Sequence, residues 1–306
     1  MKYDIIGDIH GHYYDLHELL VDKMGYGLSE KGYLYHTDRQ AIFVGDYIDR
    51  GKNSRQVVQL VRAMQENGAA IALMGNHEYN AICYHTKGSE GDYLRPRTQQ
   101  NIDQHEDTLT SFKSDSFLND TLDWFKQLPL FYENPYFRVV HANWDQDKLA
   151  VLQTYFGGDK LREAHLELSA KKGNPLYEAV EIVLKGKELP LPNNTVFYDS
   201  YNHKRSKVRV KWWESNEGKS IKEMAVKPVD VLNLSEANKV NPKDYSAGYS
   251  SEEKPVFFGH YWLEGEKPMV QAPNVCCVDY SVAKKGKLVA YRFDGETELR
   301  KEKFCW

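Results

Sequence analysis

Five short, mostly apolar runs are spaced along this chain, and polar residues follow each of them. The runs are residues 3–6, 41–44, 69–74, 137–140 and 256–258. Short apolar runs bounded by turn-forming residues predict buried β-strands. A glycine follows four of the five runs, where it lets the backbone turn sharply and leaves room beside a ligand.

Helical patterns separate the first runs. Residues 15–24 carry leucine and methionine at helical spacing, and a second helix is predicted from Ser54, as its N-cap, to Gly68. The third run leads directly into another helix. Three strand–helix units in series predict an α/β fold with parallel strand pairing. Further strands are predicted at residues 275–278, 287–293 and 298–304.

Each run leads into a polar motif, and these motifs hold the candidate chemistry. The motifs are Gly7-Asp8-Ile9-His10-Gly11, Gly45-Asp46-Tyr47-Ile48-Asp49-Arg50-Gly51, Gly75-Asn76-His77-Glu78, His141-Ala142-Asn143 and Gly259-His260. In open α/β sheets, ligands bind at the carboxyl ends of the strands. We therefore expect one site to gather six side chains: Asp8, His10, Asp46, Asn76, His141 and His260.

The residue types of these six side chains suit a pair of metal ions. Carboxylate, amide oxygen and imidazole favour Mn, Fe, Zn or Mg over Cu(I), and the motifs contain no cysteine for a thiolate zinc site. Two metal ions about 3.5–4 Å apart need a bridging ligand such as a carboxylate, and together they activate water and neutralise a phosphate. Arg50 and His77 adjoin these residues and supply a phosphate contact and a proton donor, although Arg50 could instead pair with an acid such as Asp49.

The motifs resemble those of the phosphoprotein phosphatases, a family of calcineurin-like metallophosphoesterases, and specifically its bacterial branch. The family pattern is Gly-Asp-x-His-Gly, Gly-Asp-x-x-Asp-Arg-Gly and Gly-Asn-His-Glu, followed by two isolated histidines. The three longer motifs are intact here. The resemblance covers about residues 1–145 and 256–281 and is weak over 150–250.

The resemblance implies an α/β fold of four layers, α/β/β/α, in which two packed mixed sheets are flanked by helices. We expect a single domain over residues 1–306, with a substrate-shaping insertion at about 150–250. Residues 235–251 are rich in Asn, Pro, Gly and Ser and predict a long loop within that insertion.

The resemblance also implies a role for each site residue. It implies metal ligands as follows: Asp8 and His10 for the first ion, Asp46 as the bridge, and Asn76, His141 and His260 for the second ion. His77 resembles the acid that protonates the leaving oxygen, Asp49 the carboxylate that orients it, and Arg50 the phosphate-binding arginine. The implied cofactor is two divalent metal ions, with Mn favoured and Fe or Zn as alternatives.

The substrate contacts are less clearly defined by the sequence. The eukaryotic members carry a second phosphate-binding arginine near a Leu-Trp-Ser-Asp stretch that this chain lacks, and Arg209 is the nearest candidate for it. Ala142 and Asn143 also stand where those members have two glycines. The candidate substrate contacts are Arg50, Asn76 and Arg209, and the candidate pocket walls are Trp262 and Tyr280.

The predicted function is hydrolysis of phosphomonoesters, either on Ser/Thr phosphoproteins or over a broad range, by a hydroxide that the metal ions activate. The alternative is a dinucleoside polyphosphate hydrolase or a nucleic-acid end phosphatase. A binding protein that had lost turnover would be expected to lack a ligand, and none of the six is missing. The expected partner is a phosphorylated substrate, either protein or nucleotide.

Composition adds few further limits. The hydrophobic fraction of 41%, the charged fraction of 27% and the net charge of −4 are ordinary for a globular protein and carry no strong nucleic-acid or membrane signature. The four cysteines form no Cys-x-x-Cys pair, which is typical of reduced thiols. No apolar run approaches the ~20 residues of a membrane span. The first strand leaves no room for a signal peptide, so we expect a cytoplasmic protein of undetermined oligomeric state.

Overall fold

The computed structural model describes residues 2–191, 195–198, 204–227 and 247–306. The strands are, in chain order, β1 (Lys2–Ile6), β2 (Gly27–Leu28), β3 (Leu34–Tyr35), β4 (Arg39–Phe43), β5 (Ala70–Ala72), β6 (Phe131–Glu133), β7 (Arg138–Val140), β8 (Glu188–Pro190), β9 (Phe197–Tyr198), β10 (Lys204–Arg205), β11 (Lys207–Arg209), β12 (Val256–Phe258), β13 (Val275–Cys277), β14 (Asp279–Tyr280), β15 (Lys287–Leu288), β16 (Ala290–Phe293) and β17 (Phe304–Cys305).

The α-helices are α1 (Tyr13–Glu18), α2 (Ser54–Glu66), α3 (Asn76–His85), α4 (Gln99–Phe112), α5 (Asp115–Phe125), α6 (Gln146–Phe156), α7 (Glu163–Ala170), α8 (Pro175–Lys185) and α9 (Ile221–Met224). These elements belong to two units, one made of Met1–Lys185 with Lys254–Trp306 and the other of Gly186–Glu253. None of the helices in the described ranges is both long enough and apolar enough to cross a membrane.

The first sheet of the larger unit has the strand order β17-β16-β1-β4-β5. β1 pairs with β4 and β4 with β5 in parallel, so that Ile42 lies opposite both Ile5 and Ile71. β16 pairs antiparallel with β1, which makes the sheet mixed. The predicted parallel pairing is therefore confirmed, and it places the carboxyl ends of β1, β4 and β5 along one edge.

The second sheet of the larger unit has the order β13-β12-β7-β6. β12 is parallel to both of its neighbours, with Val256 opposite Arg138 and Val275. The chain therefore leaves β7 and β12 at the same edge of this sheet. These exits lead into the fourth and fifth polar motifs.

Alternate residues of the strands fill an apolar core between the two sheets. Ile5 and Ile42 from the first sheet join Val139, Phe257 and Cys276 from the second in this core. The intervening residues are also buried, because helices cover the outer faces of the sheets: Ile6, Phe43, Val140, Phe258 and Cys277. The predicted fold of two packed mixed sheets flanked by helices is confirmed.

The local predictions differ from the structure at three places. The helix predicted at 15–24 continues beyond Glu18 as a π-helical turn. Ser54 is the first residue of α2 rather than its N-cap, which is Asn53. The strand predicted at 298–304 is mostly a loop and a 3₁₀ turn. There the backbone N–H of Leu299 donates to the carbonyl of Pro273, so the buried leucine anchors a loop instead of extending the sheet.

The smaller unit is built from short elements. β8 and β11 pair antiparallel, with Val208 opposite Leu189, and a small core forms from these residues with Val210, Ile221 and Met224. Residues 235–246 of the predicted long loop lie outside the described residues. Helix α8 and the residues before it, from position 150 onward, belong to the larger unit, and the prediction of one domain with an insertion stays a prediction.

Candidate metal centre and catalytic dyad

The carboxylate of Asp46 lies between two groups of imidazoles. Its Oδ2 is 3.6 Å from Nε2 of His10, and its Oδ1 is 3.4 Å from Nε2 of His141. In the described part of the chain, the ligand atoms of His10, Asp46 and His77 lie within 4.8 Å of one another, and so do those of Asp46, His141 and His260. One carboxylate is therefore shared by two groups of donor atoms.

Asp8 and Asn76 lie beside these two groups. The Oδ1 of Asn76 is 3.1 Å from Nε2 of His141. The Oδ2 of Asp8 accepts the backbone N–H of His260 at 3.0 Å. The structure thus brings together the six side chains that the sequence predicts as ligands, and it adds His77 to the group around His10.

The chain reaches this arrangement through left-handed backbone conformations at the strand exits. The φ angle is 47° at His10, 56° at Asp46, 69° at Asp49 and at Arg50, and 71° at His260. A non-glycine residue in this conformation costs roughly 1–3 kcal/mol of folding free energy. The conformation persists only where the surrounding fold imposes it. Backbone strain of this kind is concentrated at functional sites.

Two of the motif glycines are required by close approach. A Cβ on Gly75 would lie 2.2 Å from Oδ1 of Asp46, and a Cβ on Gly259 would lie 2.0 Å from Oδ1 of Asp8. Both distances are far inside van der Waals contact. The missing side chains therefore allow each carboxylate to approach a neighbouring strand exit.

The donor atoms fit divalent metal ions. Oδ1 of Asp8 and Nε2 of His10 are buried and make no hydrogen bond in the described part of the chain. Burial raises the pKa of Asp8 well above its usual value, and the nearby carboxylates of Asp279 and Asp46 raise it further. Burial lowers the pKa of His10 to about 3, which keeps its imidazole neutral. Buried carboxylates beside neutral imidazoles need a cation to balance them.

A hydrogen-bonded dyad lies next to these donors. Nδ1 of His77 is 2.5 Å from Oδ2 of Asp49, and Nε2 of His77 is 4.0 Å from Oδ2 of Asp46. The ring therefore has one nitrogen on Asp49 and the other beside the shared carboxylate. Burial raises the pKa of Asp49, but hydrogen bonds from His105 and His77 outweigh it and hold the pKa below its usual value. Asp49 is accordingly an ionised hydrogen-bond acceptor.

Arg50 stacks on an aromatic side chain at the same site. Its guanidinium carbon is 4.1 Å from the ring centroid of Trp262, whose ring is also 5.9 Å from that of His10. The backbone N–H of Trp262 donates to Asp279 at 2.7 Å, which fixes the loop after His260. Tyr280, the other predicted wall residue, instead packs in the core between the sheets.

Glu78 organises the site, although neither the motif analysis nor the family resemblance assigned it a role. Its carboxylate accepts the backbone N–H groups of Asp46 and Tyr47 at 2.8 Å each, and that of Gly75 at 2.9 Å. It is fully buried. One carboxylate thus ties the exit of β4 to the exit of β5. The sequence feature that could have indicated this role is its position as the last residue of the Gly-Asn-His-Glu motif.

The calcineurin-like phosphoesterase family model matches residues 1–261 of this chain. The chain belongs to the calcineurin-like phosphoesterase family. The predicted family is therefore confirmed, and membership implies divalent metal ions, for which the residues around Asp46 are candidate ligands.

Curated relatives match part of the calcineurin-like chain. The bis(5'-nucleosyl)-tetraphosphatase PrpE [asymmetrical] of Oceanobacillus iheyensis is 44% identical over 77 residues, which is 25% of this chain and 30% of the relative. The protein of the same name from Bacillus subtilis is 38% identical over 89 residues, 29% of this chain and 36% of the relative. The matches thus span about a third of the relatives' length.

Among solved structures, the cold-active protein-tyrosine phosphatase of a psychrophilic Shewanella species superposes with a TM-score of 0.48 and 16% identity. The superposition covers 96% of this chain and 78% of that one.

Arg209, the remaining candidate contact, belongs to the smaller unit. It ends β11, where its Nε is 3.9 Å from the carboxylate of Glu188, and both side chains are about two-fifths exposed. An exposed pair at this distance contributes little to stability. The role of Arg209 in binding substrate stays a prediction.

Proposed function

We propose that this chain hydrolyses phosphate esters with two divalent metal ions at the Asp46 centre. The observation that carries the proposal is the division of the two Asp46 oxygens between His10 and His141. A carboxylate placed in this way can bridge two ions, with Asp8 and His10 on one side and Asn76, His141 and His260 on the other.

The metal ions, when bound, supply a nucleophile from water at neutral pH and neutralise phosphoryl charge. The set of histidine ligands favours Mn, with Fe or Zn as alternatives, because imidazole suits these ions better than it suits Mg.

Two side chains of the centre complete the chemistry. Arg50, held against Trp262, binds the phosphoryl oxygens with its planar guanidinium. His77 donates the proton from Nε2 to the leaving oxygen, while Asp49 accepts the Nδ1–H and so keeps the ring oriented. The position of Nε2 near Asp46 supports this role, because it places the donor beside the centre.

The first substrate class that we propose is phosphomonoesters, either phosphoproteins or a broad range. The second is asymmetrical cleavage of dinucleoside tetraphosphates. The specific observation in favour of the second class is the similarity to relatives named for that activity, which extends over about a quarter of this chain.

A panel assay with Mn²⁺ tests both classes. The substrates are phosphopeptides, p-nitrophenyl phosphate, diadenosine tetraphosphate and 3′-phosphorylated or 2′,3′-cyclic nucleotides. Release of ATP and AMP in equal amounts, at the highest kcat/KM of the panel, would establish the second class. The first class requires inorganic phosphate from the monoesters at the highest kcat/KM. If no member of the panel is hydrolysed in the presence of metal, the proposed function is wrong.

A further inference from the structure

The carboxylate of Asp49 has more partners than His77. Its Oδ1 accepts Nδ1–H of His105 at 2.9 Å and the hydroxyl of Thr108 at 2.6 Å. The hydroxyl of Thr108 in turn accepts the backbone N–H of Asp49 at 2.8 Å. His105 and Thr108 are three residues apart and therefore lie on one face of α4. A helix outside the five motifs thus provides three of the contacts that fix Asp49.

Protein groups must satisfy this carboxylate, because little water can reach it. Asp49 is 4% exposed and His105 is 5% exposed. The cavity beside them has a volume of ≈ 10 Å³. That is room for about one water molecule. A buried ionised carboxylate is costly unless donors surround it, and α4 supplies two of its donors.

The side chain of His85 contacts His105 on the side of the ring away from Asp49. Nε2 of His85 is 3.2 Å from Nε2 of His105. With Nδ1 of His105 donating to Asp49, Nε2 of His105 is the ring nitrogen that faces His85. Burial and the neighbouring His105 and Arg97 lower the pKa of His85 to about 4, so His85 is neutral at pH 7 and carries one ring N–H.

We propose that His105 is a positioning residue for the hydrolysis of phosphate esters. By donating to Oδ1 of Asp49, it fixes the carboxylate so that Oδ2 holds Nδ1 of His77 and Nε2 of His77 is directed at the leaving oxygen. The inference rests on the proposed function, because it takes His77 as the acid. The side chain of His105 contacts Asp49, His85 and Tyr84, none of which is among the metal donors, so it acts through Asp49.

Three variants of the full chain test the proposal. His105→Leu removes the donor, whereas His105→Asn keeps an N–H near the place of Nδ1. His165→Leu, which removes a half-buried histidine from another helix, is the control. We expect His105→Leu to lower kcat for an alkyl phosphate by about 10- to 100-fold, the effect of one hydrogen bond to a charged group. The loss should be smaller for p-nitrophenyl phosphate, and His105→Asn should recover most of it.

The double variant with His77→Asn separates positioning from a general structural effect. If His105 acts through the dyad, its removal should have no further effect once His77 is gone, while the metal content stays at that of the parent. Equal losses from His105→Leu with and without His77, or equal losses on both substrates, would overturn the proposal. If His77→Asn alone shows no dependence on the leaving group, the failure lies in the proposed function instead.

If His105→Leu does not fold, Thr108→Val tests the same proposal. It replaces the hydroxyl by a methyl group of similar size and removes one donor from Oδ1 and one acceptor from the backbone of Asp49. The same selective loss on alkyl phosphates, absent when His77 is also replaced, is expected. A loss that is independent of His77 would overturn the role of α4 as a whole.

Discussion

The backbone N–H of His260 donates to the carboxylate of Asp8 at 3.0 Å, although 252 residues separate the two. This hydrogen bond joins the first polar motif of the chain to the last. It links the exit of β1 in the first sheet to the exit of β12 in the second. The candidate metal centre is therefore assembled across the interface between the sheets, and its geometry depends on how closely they approach.

Gly259→Ala should damage the centre without changing any donor atom. The new Cβ would lie 2.0 Å from Oδ1 of Asp8 and 2.8 Å from Cγ2 of Val44, so the two sheet edges must separate. We expect a loss of about 1–3 kcal/mol in unfolding free energy and a lower metal content, measured by urea denaturation and elemental analysis. Gly158→Ala, where no atom lies within 4 Å, is the matched control. Parent-like metal content in Gly259→Ala would contradict this account.

Removal of metal should abolish activity on p-nitrophenyl phosphate. Exhaustive chelation followed by dialysis takes away the ions that the six donors would hold, and Mn²⁺ should then restore more activity than Mg²⁺ because of the histidine ligands. The measurement is the initial rate against added metal. Full activity in protein shown by elemental analysis to be free of metal would contradict the dinuclear proposal.

Asp46→Asn should reduce metal binding more broadly than Asp8→Asn. The two oxygens of Asp46 face both imidazole groups, whereas Asp8 contacts the loop of His260. We expect loss of both ions in the first variant and loss mainly of one in the second, measured as metal per chain by elemental analysis. Two ions per chain in Asp46→Asn would exclude the bridging role.

His77→Asn should distinguish a catalytic acid from a metal ligand. General acid catalysis is typically worth about 10²–10⁴-fold, so turnover of an alkyl phosphate should fall by that factor. The penalty should shrink for p-nitrophenyl phosphate, whose leaving group needs little protonation, and both metal ions should remain. Loss of an ion from the variant would instead assign His77 to the group of His10 as a ligand.

Glu78→Gln should destabilise the protein. The carboxylate accepts three backbone N–H groups, and an amide has only one oxygen to offer them. A buried donor without an acceptor costs about 1–3 kcal/mol, which should appear in urea denaturation as a lower midpoint with an unchanged slope. Glu90→Gln, at an exposed position, is the control. Equal midpoints for the two variants would exclude the structural role of Glu78.

The strand exits could be predicted from the sequence because the apolar runs and the residues after them are contiguous. Strand pairing and burial follow once the strands are parallel, whereas the contact of Asp8 with His260 also requires the two sheets to pack face to face. The contact of His105 with Asp49 could not be predicted in this way. This contact depends on where the loop between α3 and α4 positions α4. The hydrophobic pattern within α4 does not indicate which strand exit the helix packs against. The prediction of a strand at 298–304 was wrong for a related reason. The backbone N–H of Leu299 donates to the carbonyl of Pro273, a residue distant in the chain, and not to a neighbouring strand.

The left-handed backbone at the motif residues has a consequence for engineering. Arg50 has a φ of 69°, a conformation that glycine adopts without strain. Glycine at this position would relieve the backbone strain, but it would also remove the guanidinium that stacks on Trp262. At His10 and His260 it would leave a cavity, because both side chains are buried. Each such substitution would remove a side chain from the centre. These positions are thus where consensus or computational stabilisation of this protein should be blocked, and where a stabilised variant without activity should first be checked.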